Sequence, residues 1–276
     1  MHEVEFAIIG NGIFGATIAA KLRQQGISVV TIDSQEPEAA SPCAACLIKP
    51  SWIAGLGKEN CAIGLDTLGE LYPIKELNFD TPVGNAAVKW VDPKDILVPP
   101  TFREKVLRIT ITPYGYEINM HIIAKNLIIA AGVWTNEVLW KFTSFQIKTL
   151  AARTGSSFTI PGKRVLPYIK PFRPFRQLTR FMVDEDLAWV GDSEGYINYT
   201  KSQLEKSRQR CAAFVNDLPS KLLARTGHRP YTSKEEMENK PCYLQRPFDD
   251  LWVVTGGAKN GTIAAGWAAH QIAKTL

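Results

Sequence analysis

Near the start of the chain, Gly10-Asn11-Gly12-Ile13-Phe14-Gly15 has a spacing that can hold phosphates, and the acid Asp33 follows 18 residues after the last glycine. Gly10 permits a tight turn, Gly12 lets a pyrophosphate approach the backbone, and Gly15 lets a helix pack closely on a strand. The N-terminus of that helix would face the phosphates, and Asp33 could accept hydrogen bonds from a ribose. The neighbouring residues supply the elements such a turn needs. Val4 to Gly10 reads as a buried strand, Ala16 to Gln25 as a helix stopped by Gly26, and Ile27 to Ile32 as a second strand. This opening is a βαβ unit shaped for a dinucleotide. It does not choose between NAD and FAD.

Three later segments bear on that choice. Ser41-Pro42-Cys43-Ala44-Ala45-Cys46 is rich in small residues and suits backbone passing against a flat ring. Leu127 to Trp134 is a strand pattern that ends in Ala-Ala-Gly. Leu251 to Thr255 is another strand, followed by Gly256-Gly257-Ala258-Lys259-Asn260-Gly261 and a small-residue helix to Ala273. A second glycine turn opening a helix suits the far part of an extended cofactor, which a nicotinamide dehydrogenase does not need at its terminus.

In these anchors the chain resembles the FAD-dependent D-amino-acid oxidase/glycine oxidase family. Gly10, Gly12, Gly15 and Asp33 match its fingerprint, Ser41, Ala44 and Ala45 its Ser-x-x-Ala-Ala segment, and Ala130, Gly132 and Trp134 its strand end. Arg225-Thr226-Gly227-His228-Arg229-Pro230 matches its Arg-Thr-Gly-x-Arg-Pro segment, and Gly256, Gly257 and Gly261 its closing turn. Cys46 departs from the usual glycine, Lys259 sits within the glycine turn, and the middle region is short. The resemblance implies an α/β fold, with a Rossmann-like FAD-binding domain and an inserted mixed α+β substrate domain. The expected bounds are 1–80, 100–140 and 226–276 for the first, and 141–225 for the second.

The resemblance also implies FAD as cofactor. Its expected contacts are Gly10, Gly12, Ile13, Phe14, Gly15, Asp33, Ser34, Ser41, Ala44, Ala45, Ala131, Gly132, Trp134, Gly257, Asn260, Gly261 and Thr262. The implied chemistry is hydride removal from an amino-acid Cα–H, followed by hydrolysis of the imine and loss of the C–N bond. Arg229 matches the arginine that holds a substrate carboxylate through a two-pronged pair; an arginine bridging two domains is the alternative. Lys49 and Lys259 are candidates for steadying a reduced flavin or orienting substrate, or are simply solvated. His228 is placed to face a substrate or to pack.

Composition sets the outer limits. The 276 residues are 45% hydrophobic and 21% charged, an ordinary globular balance. Charge interrupts every long apolar stretch, as Lys125 does between Ile122 and Trp134, so no membrane span is expected. The acidic start runs straight into a strand pattern, which is not that of a signal peptide. Five cysteines point to reduced thiols and a cytoplasmic setting. Cys43 and Cys46 form a C-x-x-C without a second pair, so no metal is expected.

The charge distribution is uneven. From Val138 to Val183 there are nine Lys or Arg residues and no acid. Lys163, Arg164, Lys170, Arg173, Arg176 and Arg180 are interleaved with Tyr168, Phe172 and Phe175, while Pro161, Pro167, Pro171 and Pro174 favour a loop or edge ribbon. Such a stretch is either a solvated surface or a phosphate-tracking one, with Lys170, Arg173 and Arg176 as candidate contacts. The first-ranked substrate is therefore a glycyl or carboxymethylamino group carried on a DNA or RNA base, near Arg229 and His228. Branches of the family act this way in tRNA wobble-uridine modification and in bacteriophage thymidine hypermodification. A free glycine-like or D-amino acid is the alternative, and a non-catalytic nucleic-acid-binding module is the reading from another class.

Overall fold

The computed structural model describes residues 1–48, 57–173, 176–192, 196, 199–216, 223–238 and 240–276. In chain order the elements are β1 (His2–Ile9), α1 (Ile13–Gln24), β2 (Val29–Ile32), β3 (Leu47–Ile48), α2 (Lys58–Leu71), β4 (Ile74–Thr81) and β5 (Gly84–Val91). Next come α3 (Pro93–Ile96), β6 (Ile109–Thr112), β7 (Gly115–Ile118), β8 (Ile122–Ile129), α4 (Thr135–Leu139), β9 (Ala151–Pro161) and β10 (Tyr168–Arg173). The chain finishes with β11 (Arg176–Asp184), β12 (Leu187–Asp192), α5 (Lys201–Val215), β13 (Leu223–Tyr231), β14 (Tyr243–Phe248), β15 (Leu251–Thr255) and α6 (Gly261–Lys274).

Two sheets organise the molecule. The first has the order β14-β15-β8-β1-β2, with β7 beside β8 and β6 beside β7. Its centre is parallel: β1 pairs with β2 and β8, and β8 with β15. Parallel central strands are covered on both faces, so they read as continuous apolar runs. Phe6-Ala7-Ile8-Ile9 shows this. Ala7 and Ile9 face a cluster with Ile32, Leu127, Ile129 and Val253, while Phe6 and Ile8 face Ile18 and Leu22 of α1 and Trp267 and Ala268 of α6. Each Ile or Leu fully buried there stabilises the fold by roughly 1.5–3 kcal/mol.

The second sheet runs β13-β9-β12-β11-β10-β4-β5-β3. It takes β3, β4 and β5 from the first third of the chain as well as β9–β13 from later on. On one face, Phe158, Ile160 and Val190 pack against Cys211, Ala212 and Val215 of α5. That helix is well specified at both ends, by a Thr200–Gln203 capping box and by Asn216 in the left-handed conformation. The other face carries Phe79, Trp90, Ile169 and Phe181 and turns toward the first sheet.

The stretch 161–180, expected as loop or edge ribbon, is instead largely the β10–β11 hairpin within this sheet. Pro171 is tolerated within β10 for a local reason. Among the described residues β10 meets β4 only at Tyr168↔Asp80, so Pro171 pairs with Gln177 on one side and owes no hydrogen bond on the other.

Two helices reach the sheet region through a backbone contact. A Cβ on Gly64 of α2 would run into the Ile263 carbonyl of α6, and one on Gly266 would run into the Gly64 carbonyl. Gly266→Ala must push α2 and α6 apart and is expected to cost about 1–3 kcal/mol. Gly69→Ala lies in the same α2, where its Cβ would stand an ordinary 3.6 Å from the Ile74 side chain. That change should be neutral or stabilising by about 0.4–1 kcal/mol. Thermal melts of the two variants check the contact; equal Tm values would show that the helices do not touch there.

Candidate functional site

The loops at the C-terminal ends of β1, β2, β8 and β15 converge on one side of the first sheet. Between them and the second sheet lies a cavity of about 1360 Å³. Ordinary small-molecule clefts hold about 300–1,000 Å³, so this one has room for an extended ligand and something beside it.

The first turn is built by close backbone packing. Gly10 has φ +99°, and a Cβ there would meet the Ala130 carbonyl at the end of β8. A Cβ on Gly15 would overlap the Gly10 carbonyl, so α1 can start only because both residues lack side chains. Gly12 differs from expectation in one respect. The atom its Cβ would meet, at 2.7 Å, is the Ser41 hydroxyl oxygen, and that same oxygen accepts the Ile13 N–H at 2.9 Å. Ser41 thus satisfies one of the free N–H groups of α1 from a neighbouring loop.

Asp33, at the end of β2, accepts the Asn11 N–H on one carboxylate oxygen and the Gln35 N–H on the other. It fixes the loop on both sides, and each oxygen keeps a second lone pair for a ligand hydroxyl. The Asn11 side chain donates to the Val98 carbonyl at 2.6 Å, which brings the 97–106 segment to the cavity wall. No motif in the sequence marks that segment.

The second glycine turn meets the first. A Cβ on Gly257 would stand 2.7 Å from the Phe14 ring, so the two turns pack through Phe14. Thr135 and Thr255 both donate their hydroxyls to the Gly132 carbonyl, at 2.8 and 3.0 Å, and hold the end of β8 in place. The N-termini of α1 and α6 both reach the cavity, and neither helix has an acid in its first turn. Their partial positive charge favours an anion between them.

The cavity brings most of the sequence candidates together. It is lined by Gly10, Gly12, Ile13, Phe14, Asp33, Ser34, Ser41, Ala44, Ala45, Ala131, Gly132, Trp134, Gly257, Asn260, Gly261 and Thr262, and by His228 and Arg229. Gly15 lies behind the turn, not at the surface of the cavity. Lys49 lies outside the described residues, as do the side chains of Lys259, Arg173 and Arg176. Lys170 is exposed on β10 and does not line the cavity, although Pro171 and Gln177 of the same hairpin do.

On β13, Arg225 donates to the Pro42 carbonyl at 3.1 Å, and Gly227 lies against Ala39, Ala40 and Cys43. Arg229 is half-buried opposite Arg153 of β9, whose guanidinium stacks 4.2 Å over Tyr231. His228 is engaged on both nitrogens, by the Thr154 hydroxyl at 2.5 Å and the Glu38 carboxylate at 3.1 Å, and sits edge-on to Trp134. This ties together β13, β9 and the loop after β2. Sequence reading missed Glu38, which has no motif around it.

Burial pushes the Cys43 thiol up to about 11, with Arg225 and Arg229 pulling the other way, and pushes Cys46 up to about 12. Both thiols stay protonated at neutral pH. Cys46 also has φ +51°, a left-handed conformation that favours the glycine the resemblance expects there. None of the five cysteines is in a disulfide, and among the described residues no group of three or more His, Cys, Asp or Glu is placed to hold a metal ion. No helix is long and apolar enough to cross a membrane among those residues.

No protein-family model matches the chain, and no curated protein matches it. Solved structures do. Glycine oxidase from Geobacillus kaustophilus superimposes with a TM-score of 0.70 at 14% identity, covering 99% of this chain and 94% of that one. Iminodiacetate oxidase from Chelativorans sp. BNC1 gives 0.67 at 17% identity, covering 98% and 94%. L-alpha-Glycerophosphate oxidase from Mycoplasma pneumoniae, solved with FAD bound, gives 0.69 at 15% identity, covering 100% and 95%. At near-full coverage in both directions, this likeness establishes the fold: the chain has the mixed α/β architecture of FAD-dependent oxidoreductases such as glycine oxidase.

Proposed function

We propose that this protein is a FAD-dependent oxidoreductase that oxidises the C–N bond of an amino-acid-like amine. The observation that carries the reading is the shared cavity. Two glycine turns, two helix N-termini, Asp33 and the β13 arginines reach it from distant parts of the chain. The residues present fit the cofactor. The N-termini of α1 and α6 would hold its diphosphate, Asp33 a ribose, and the Ser41–Ala45 and Gly257–Thr262 backbones its ring system. When bound, FAD supplies the acceptor for the hydride leaving the amine Cα–H.

The chain's own part is orientation. The arginine fork of Arg229 pairs with a substrate carboxylate and fixes which hydrogen faces the ring. His228, held by Thr154 and Glu38, keeps β13 in register beneath that arginine. Residues 1–80, 100–140 and 226–276 form the cofactor domain in this reading, and 141–225 the substrate domain.

The finer reading places the amine on a nucleic-acid base. What supports it is the acid-free stretch from Val138 to Val183, together with the hairpin that carries Lys170, Arg173 and Arg176 and lines the cavity at Pro171 and Gln177. Oxidation of a free glycine-like or D-amino acid is the competing reading, favoured by the likeness to glycine oxidase.

Three outcomes test this account. Wild-type protein reconstituted with FAD should be yellow, and Gly12→Val, which drives a branched side chain into the Ser41 hydroxyl, should be folded by circular dichroism yet colourless. Wild type that binds NAD and not FAD would sink the reading. Arg229→Ala should keep its colour but lose about 2–5 kcal/mol of binding for carboxylate-bearing amines, tens- to thousands-fold in affinity. Loss of FAD with normal kinetics in the residual enzyme would make Arg229 structural. On the nucleic-acid reading, log K for an oligonucleotide should fall with log salt at a slope of roughly −4 to −5. Changing Lys170, Arg173 and Arg176 to glutamine should flatten it by about 2–3 units. Binding no tighter than that of an unrelated protein of equal charge, with brisk oxidation of free glycine, would reverse the ranking.

A further inference from the structure

The cavity wall formed by the second sheet has an aromatic floor. Trp189 of β12 lines the cavity, and Gly191 lies two residues on along the same face. A Cβ placed on Gly191 would stand 2.5, 2.9 and 3.2 Å from three carbons at the far end of the Trp189 ring. Three ring atoms so close to one point mean that the far end of the indole lies over Gly191, in the space a side chain there would need, while Trp189 also lines the cavity. Phe181, the cross-strand partner of Trp189, supports the ring at a centroid distance of 5.7 Å. Thr179 and Ser157 flank Gly191 in the same cross-strand row, and both line the cavity with Gln177. Trp189 and Ala45 of the Ser41–Cys46 loop pack against the same apolar cluster, in which Phe181 touches both Trp189 and Trp90, and Trp90 donates its indole N–H to the Ala45 carbonyl.

We infer that Trp189, laid flat by Gly191, is a stacking platform for the non-reacting part of the substrate, which is an amine whose glycine-like arm is carried on a planar heterocycle. The inference rests on the flavin amine-oxidoreductase reading above. A flat indole face is buried best by a flat ring. Hydroxyl and amide groups around it suit the donors and acceptors on a heterocycle's edge. A lone glycine would leave most of that face bare. Core packing accounts for the contact with Phe181, but it does not call for a glycine beneath the end of a ring that lines a cavity of about 1360 Å³.

The test uses the full chain reconstituted with FAD and calorimetric titration with N-(pyridin-3-ylmethyl)glycine against N-(cyclohexylmethyl)glycine, which differ chiefly in planarity. Wild type should bind the pyridyl compound about 5- to 150-fold more tightly. Trp189→Leu should erase the preference, Trp189→Phe should keep part of it, and Gly191→Ala, which tips the indole without removing it, should weaken it. Equal affinity for the two compounds in wild type, or an unchanged preference in a folded Trp189→Leu, overturns the platform. FAD retention, read from absorbance, reports separately on the parent reading, so the two failures are distinguishable. Displacement of the pyridyl compound by a mixed-sequence single-stranded oligonucleotide places the heterocycle on a nucleic acid; no displacement, with the preference intact, places it on a free amine.

Discussion

Helix α1 begins in van der Waals contact with the carbonyl of Gly10, and that contact sets the position of nearly everything else in the site. It needs two residues without side chains, Gly10 and Gly15, and it presses the turn against Ala130 at the end of β8. With the turn held there, Asp33 can reach back to the Asn11 N–H, and Ser41 can reach the Ile13 N–H. The second glycine turn then docks through Phe14 on Gly257. A single side chain at Gly15 would separate helix from strand and unseat each of these partners in turn.

This explains which parts were legible in the sequence. A glycine demanded by a backbone–backbone contact is a local requirement, so the Gly10–Gly15 and Gly256–Gly261 turns stand out by composition alone. The buried run Phe6-Ala7-Ile8-Ile9 announces a central parallel strand for the same reason. Sheet membership was less visible, because it depends on pairing between segments far apart. Nothing local in Ile74–Val91 says that β4 and β5 join β10 rather than the first sheet. The Val98 carbonyl reaches the cavity through one long-range hydrogen bond and Glu38 through two, both to His228, with no pattern that periodicity could reveal.

Electrostatics divides the cavity into two ends. Helix N-termini and the β13 arginines make one wall attractive to anions, while the thiol of Cys43 stays protonated because burial outweighs the nearby guanidinium charge of Arg225 and Arg229. The positive field is therefore directed at a ligand and not spent on ionising a neighbour. Farther along the same sheet, β11 and β12 combine an aromatic surface with hydroxyl groups, and the Asp192 carboxylate there is paired with Arg210. A ligand that is charged at one end and flat and neutral at the other matches this division.

The partial pairing of β10 has a consequence for self-association. Past Tyr168, among the described residues, the strand is paired only on its β11 side. Open edges recruit strands from other molecules and seed aggregates. Here Pro171 offers no backbone hydrogen-bond donor, and the exposed Lys170 beside it brings like charge to any second copy that approaches. A proline and an exposed lysine at this point of β10 are residues of the kind that discourage strand-to-strand association.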